Sequence, residues 1–350
     1  MTRNNCKYSL VKEIGSGTFG RVWMAKDLIS GELVAIKRRP KWQSAISREV
    51  EAMESIKGEE GIVSITHCFY SMTKGGIIMQ NIVMPLMNKS LGTFIRDQRS
   101  IRRRYPTHRL PPKLVKSIAF QIAKGLHKLH ITGYTHRDFK PDNILLSYSG
   151  EEDDPTKSGS DIIVKICDLG SSKKLVSNNI HMPYVVSRFY RAPELLFGSC
   201  IYNEKIDIWE NILFDCISVA IGCIFAELLS LDPIFVGRCP EKSQMRANSG
   251  RQGLDEPYQI MKIIEILGAP TIEDFESINK MIPKVIKSQH SDLSFLRKIE
   301  VSPLSWSNIL DGFYCEEEKP LINIISTCIQ WNPQKRPTNK SKIIINKTEM

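Results

Sequence analysis

His136-Arg137-Asp138-Phe139-Lys140-Pro141-Asp142-Asn143, followed at once by the apolar run Ile144-Leu145-Leu146, is the stretch on which the reading of the fold turns. It sets an acid, a cation and an amide just ahead of a short strand-like segment. In that pattern Asp138 can accept the proton of an attacking hydroxyl, Lys140 can neutralise a phosphoryl group in transfer, and Asn143 can ligate Mg2+. An accidental match at all of these positions is improbable.

Working outward, the β-branched run Ile162-Ile163-Val164 leads into Asp168-Leu169-Gly170. A bare Asp-Leu-Gly is an ordinary turn. Placed after a strand and the motif above, Asp168 becomes a candidate for the metal that bridges phosphates, with Gly170 freeing the backbone. Toward the N-terminus, Gly15-Ser16-Gly17-Thr18-Phe19-Gly20 lies between two predicted strands. Its glycines let a backbone approach a polyphosphate, and Phe19 at the tip can cover it from water. A dinucleotide fingerprint would need a helix to follow directly, whereas here a strand containing Val22 follows. Val34-Ala35-Ile36-Lys37 ends another strand in a lysine. In Gln43 to Lys57 the residues Ile46, Val50 and Met53 recur at helical spacing, which turns Glu49 inward and gives Lys37 a candidate ion partner.

At 350 residues the chain exceeds the size at which one hydrophobic core stops growing, so two cores are expected. The first eighty residues or so read as strands punctuated by glycines; from about Leu91 the periodicity turns helical, with Val115, Ile118, Ile122, Leu126 and Leu129 on one stripe and Ser218 to Leu229 apolar nearly all round. The expected fold class is α+β, a small β-rich lobe followed by a larger helical one. Ser147 to Asp161 reads as a loop between two strands. Met1 to Cys6 lacks the apolar run of a secretory signal, and Ile217 to Leu229 is too short to span a bilayer. Nine cysteines without a CxxC pair read as free thiols in a reducing compartment. A cytoplasmic or nuclear protein is the expectation, with no membrane and no direct nucleic-acid partner. Part of the net charge of +10 comes from Arg96 to Lys113, read as a solvated surface loop, with nuclear import or acidic docking as the functional alternative.

These motifs together resemble a eukaryotic protein kinase, and Ala192-Pro193-Glu194 resembles the end of its activation segment. The resemblance implies a kinase domain over residues 8–338, with an N-lobe at 8–84, a hinge at 85–89, a C-lobe at 90–338 and a short tail at 339–350. It implies ATP and Mg2+ as cofactors, Asp138, Lys140 and Lys37 as catalytic residues, and Asn143 and Asp168 as metal ligands. Ile14, Gly15, Gly17, Phe19, Gly20, Val22, Ala35, Lys37, Glu49 and Leu145 would line the nucleotide site. Met84, Pro85 and Met87 would form the adenine-binding hinge, Met84 gating the back pocket and Met87 supplying backbone donor and acceptor. Glu194 would pair with the late Arg336, and Asp207 would brace the catalytic loop.

The segment Tyr184 to Leu196 resembles the CMGC group, and Asp168 to Lys173 together with Ser187 to Tyr190 is closest to its glycogen synthase kinase 3 (shaggy-like) branch. That branch favours protein substrates already phosphorylated nearby. Arg48, Arg137 and Lys173 match its three phosphate-reading positions, and Tyr184 matches its activation-loop phosphosite. A monomer or weak dimer is expected. Two departures stand out: the stretch around Glu210 to Ile217 intrudes before the central helix, and Lys340 to Met350 replaces most of the usual closing helix. They motivate a rival reading, a pseudokinase scaffold. A third is a CMGC kinase that needs a cyclin-like partner.

Overall fold

The computed structural model describes residues 7–17, 20–41, 47–148, 156, 162–174, 187–197, 219–236, 256–280, 299–310 and 312–336. They fall in two compact units. One lies within Met1–Leu91, Lys124–His136 and Asp142–Leu175, the other within Gly92–Ala123, Arg137–Pro141 and Val176–Met350. The predicted α+β class holds.

The first unit is built on strands β1 (Tyr8–Gly17), β2 (Gly20–Asp27), β3 (Leu33–Pro40), β4 (His67–Met72) and β5 (Ile78–Pro85), antiparallel in the order β1-β2-β3-β5-β4. Period-two alternation sorts β3. Ile36 packs with Ala25 and Val83 on one face, while Ala35, Lys37 and Arg39 belong to the other. Between β3 and β4 runs α1 (Arg48–Ser55), capped by Ser47, whose hydroxyl accepts from the Val50 amide at 3.3 Å. The helix is shorter than the Gln43 to Lys57 expected. It stops because Ile56 leaves helical geometry (φ −113°) and Gly58 takes φ +90°; Gln43 to Ile46 lie outside the described residues.

The same unit holds two small sheets. Strands β6 (Lys89–Ser90), β8 (Ile144–Ser147) and β9 (Ile163–Ile166) form one, and β7 (Tyr134–Thr135) pairs with β10 (Lys173–Lys174) in the other. Of the Ser147 to Asp161 stretch between β8 and β9, read as a loop, all but Ser147, Tyr148 and Thr156 lies outside the described residues.

The second unit is helical. Helix α2 (Leu91–Arg104) contributes all but its first residue to it, and α3 (Pro112–Ile131) its first half. Further on come α4 (Pro193–Leu196), α5 (219–230), α6 (Glu256–Leu267), α7 (Ile272–Lys280), α8 (Trp306–Ile309) and α9 (Lys319–Cys328). The predicted stripe of α3 is buried throughout, and every residue of α5 is buried, as its nearly all-round apolar sequence requires. Gly222 lets α9 in close: a Cβ there would stand 2.6 Å from Ile329 Cγ1 and 3.0 Å from Cys328 Cβ.

The reading of Arg96 to Lys113 as a surface loop is corrected for its first half. Arg96 to Arg104 belong to α2, whose Leu91, Phe94, Ile95 and Gln98 form a buried stripe at helical spacing, and the stretch 105–111 is non-helical. Part of the segment's charge is paired, while Arg96, Arg103, Arg104, Arg109 and Lys113 are exposed. Arg99 pairs with Glu227 at 3.5 Å and with Asp232 at 2.9 Å, Arg102 pairs with Asp232 at 2.6 Å, and Arg109 donates to the Tyr314 carbonyl at 2.9 Å. Among the described residues no helix is long and apolar enough to cross a membrane, and the cysteines, Cys68, Cys167, Cys223, Cys315 and Cys328, are free thiols.

Candidate active site

Register places the nucleotide candidates of the first unit on one face of the large sheet. Val22 opposes Lys37, which opposes Ile82; Met24 opposes Ala35, which opposes Met84. Directly opposed residues share a face, so Val22, Ala35, Lys37 and Met84 do. Gly15 opposes Val22 and Gly17 opposes Gly20, with the register slipping between Glu13 and Gly15, so that Ile14 sits in a bulge. Gly20 adopts φ +120°, and a Cβ there would stand 2.4 Å from the Arg38 carbonyl oxygen. Only glycine serves at that position. Pro85 ends β5 exposed, Met87 follows half-buried, and Leu145 opposes Ser90 and Lys165. Phe19 lies outside the described residues.

Lys37 is the centre of a buried cluster. Its ammonium donates to Glu49 Oε1 at 2.6 Å and to Asp168 Oδ1 at 2.7 Å. Glu49 is only 2% exposed, as the inward turn of α1 requires, while the Asp168 side chain keeps 24% of its surface open. Burial works against the charge on Lys37, yet the two carboxylates outweigh it and hold the pKa above the ordinary lysine value. Burial likewise opposes ionisation of Asp168, and Lys37 reverses it, holding the carboxyl below its usual range.

Asp168 is held in a left-handed conformation, φ 60° and ψ 67°, its carboxylate accepting from the Gly170 amide at 3.4 Å. Such backbone costs about 1–3 kcal/mol at a non-glycine residue and persists where its surroundings over-determine it. Leu169 supplies the anchor, fully buried where it stands between Asp168 and Gly170. Asn143 belongs to the same corner: its carbonyl accepts from the Cys167 amide at 2.9 Å, and Ile144 opposes Ile166 next to it. One carboxylate and one amide make a hard, oxygen-only donor pair that suits Mg2+, which commonly takes few protein ligands and completes its shell with phosphates and water.

The second unit holds the other candidate group. Asp138 Oδ2 accepts from Lys140 at 2.8 Å, its Oδ1 accepts from the Ser187 hydroxyl at 2.7 Å, and Lys140 reaches the same hydroxyl at 3.0 Å. The closed triangle fixes the carboxylate and keeps a cation against it. Sequence reasoning gives Ser187 no role, for a single serine carries no signal until its contacts are known. Arg137, next to Asp138, also has a positive φ of 61°.

Behind this triangle, Tyr190 donates to Glu227 at 2.6 Å and Gln259 donates to the Arg188 carbonyl at 2.6 Å, fixing the chain that carries Ser187. Glu194 and Arg336 meet as anticipated, in a two-pronged pair of 2.7 and 2.8 Å with both side chains 0% exposed. Of the phosphate-reading candidates, Arg48 opens α1 and is exposed, Lys173 is half-buried opposite Thr135, and Arg137 is half-buried before Asp138. Tyr184, Asp207 and the stretch 210–217 lie outside the described residues. The family model for the protein kinase domain matches residues 8–346.

Proposed function

Since the chain belongs to the protein kinase family, we propose that it transfers the γ-phosphoryl group of ATP, with Mg2+, to serine or threonine hydroxyls of protein substrates. Asp138 orients the attacking hydroxyl and takes its proton. Lys140 offsets negative charge on the transferring group, and Ser187 keeps both side chains in place. Lys37, held by Glu49, binds the α- and β-phosphates, and the glycine-rich turn packs its backbone over them. Asn143 and Asp168 would hold the Mg2+, which when bound neutralises charge on the β- and γ-phosphates. The observation that carries this reading is the Lys37 ammonium bonded at once to Glu49 and Asp168, because a buried lysine between two carboxylates is costly for a mere scaffold to maintain.

We further propose that the chain belongs to the shaggy-like branch of the CMGC group and favours substrates primed by a prior phosphorylation. Arg48, Arg137 and Lys173 are two guanidinium forks and an ammonium, the chemistry of a phosphate reader. The test is a peptide pair that differs only in a phosphate four residues after the target serine, followed by phosphoamino-acid analysis. Priming should raise kcat/KM severalfold or more, label should appear on serine or threonine, and Arg48→Ala should erase the preference. Equal rates on the two peptides remove the priming rule, and label on tyrosine removes the hydroxyl assignment.

A further inference from the structure

The Lys37–Glu49 pair leaves one atom unexplained. Glu49 Oε1 receives the Lys37 ammonium, but Oε2 is buried with no hydrogen-bond donor. A carboxylate oxygen taken out of water without compensation is expensive, so something else must offset its charge. A second cation, Arg39, stands on that side: its Nη1 lies 3.7 Å from Oε2. Its position follows from the strand: Arg39 comes two residues after Lys37 and so shares its face of β3.

Arg39 is itself held. Its Nε donates to Gln80 Oε1 at 2.9 Å, and Gln80 is the residue directly opposite it on β5, nearly wholly buried. That bond fixes the guanidinium plane and leaves Nη1 for Glu49. Arg38 provides an internal comparison, since its Nε donates at 2.9 Å to Asn81, its own cross-strand partner, from the opposite face of the sheet. The same arrangement therefore occurs twice, and among the described residues only the copy on the Lys37 face has a carboxylate to meet. In their ionised forms Lys37, Glu49 and Asp168 carry one excess negative charge, and Arg39 brings the cluster to neutrality.

We propose that Arg39 is a positioning residue: oriented by Gln80, it holds the second oxygen of Glu49 and so keeps Glu49 turned onto Lys37, setting the affinity for the nucleotide. The proposal rests on the kinase reading above. Without Arg39, Glu49 is free to turn its buried oxygen toward solvent, which releases Lys37.

The test compares wild type with Arg39→Gln, Arg39→Lys, Gln80→Leu, Arg38→Gln and Glu49→Gln, measuring MgATP affinity by calorimetry and steady-state kinetics with ATP and with a peptide substrate. Arg39→Gln should raise both the Kd and the KM for ATP about tenfold, a typical coupling for side chains in one network, and leave the KM for peptide unchanged. Gln80→Leu should act in the same direction, Arg39→Lys should recover most of the loss, and Arg38→Gln should match wild type. In the Glu49→Gln background Arg39→Gln should add nothing. Wild-type ATP parameters in Arg39→Gln, an equal loss in Arg38→Gln, or the same tenfold loss with Glu49 already neutralised would each overturn the proposal. A wild type that binds no MgATP removes the kinase reading, and the proposal with it, whereas an active wild type beside an unaltered Arg39→Gln removes the proposal alone.

Discussion

Replacing Arg336 by methionine keeps the unbranched stem of the side chain and removes the guanidinium with its charge. In the folded protein the guanidinium donates to both oxygens of Glu194, at 2.7 and 2.8 Å, and also to the carbonyls of Gln330 at 2.9 Å and Trp331 at 3.1 Å. Both side chains are 0% exposed, so no water replaces what methionine cannot supply. Leaving a buried carboxylate without its partner costs about 3–5 kcal/mol. For a cooperative unit of this size that lowers Tm by on the order of 10 °C. Arg336→Lys keeps the charge but loses the fork, and about half the penalty is expected. The double variant Glu194→Met/Arg336→Met removes both charges and should regain part of the lost stability, because replacing a whole buried pair by apolar groups is often close to neutral, while the Gln330 and Trp331 carbonyls still lose the arginine donor. Thermal unfolding followed by circular dichroism reads all three. An Arg336→Met protein melting within a degree or two of wild type, or a double variant as unstable as the single one, would refute the reasoning.

His130 should make the protein acid-sensitive. Burial first, then the neighbouring His127 and His136, push its pKa down to about 3 from 6.5. The unfolded chain therefore takes up that proton near pH 6.5 and the folded chain does not until about 3, so stability is intact above this window and falls as pH drops through it, by up to about 1.4 kcal/mol per unit. His130→Gln should flatten the acid side of a plot of urea midpoint against pH; an unchanged slope would count against the assignment. Ser187→Ala should lower kcat on a protein substrate about tenfold or more while the Kd for MgATP stays put, since Asp138 and Lys140 lose a charge-assisted bond. Ser187→Thr should retain most of the activity, and a full-speed alanine variant would dismiss the role.

What the sequence made legible were features with a local signature. Alternation along β3 and the helical turn of α1 were enough to bring Lys37 and Glu49 together, and the apolar run of α5 announced its burial. The Glu194–Arg336 pair joins residues far apart in the chain, and only the family resemblance made it visible. Ser187 and Gln80 stayed hidden for a common reason: each acts through a partner that register or tertiary packing selects, and neither residue type announces it. Arg39 was half legible, two residues beyond Lys37 on the same face, but its meaning depends on the orphaned oxygen of Glu49. The Arg96 to Lys113 segment misled because its dense charge drew the reading toward a loop, while Leu91, Phe94, Ile95 and Gln98 already spelled one buried helix face.

The most direct measurement is transfer of label from γ-radiolabelled ATP to a protein or primed peptide substrate, wild type beside Asp138→Asn, both shown to be folded and to bind MgATP. Wild type should incorporate label at a rate that rises with substrate, and Asp138→Asn should fall by a factor on the order of a hundred or more, since it cannot take the proton of the attacking hydroxyl. Equal label in the two, or none in a folded, nucleotide-bound wild type, would contradict phosphoryl transfer and leave a kinase fold used as a scaffold.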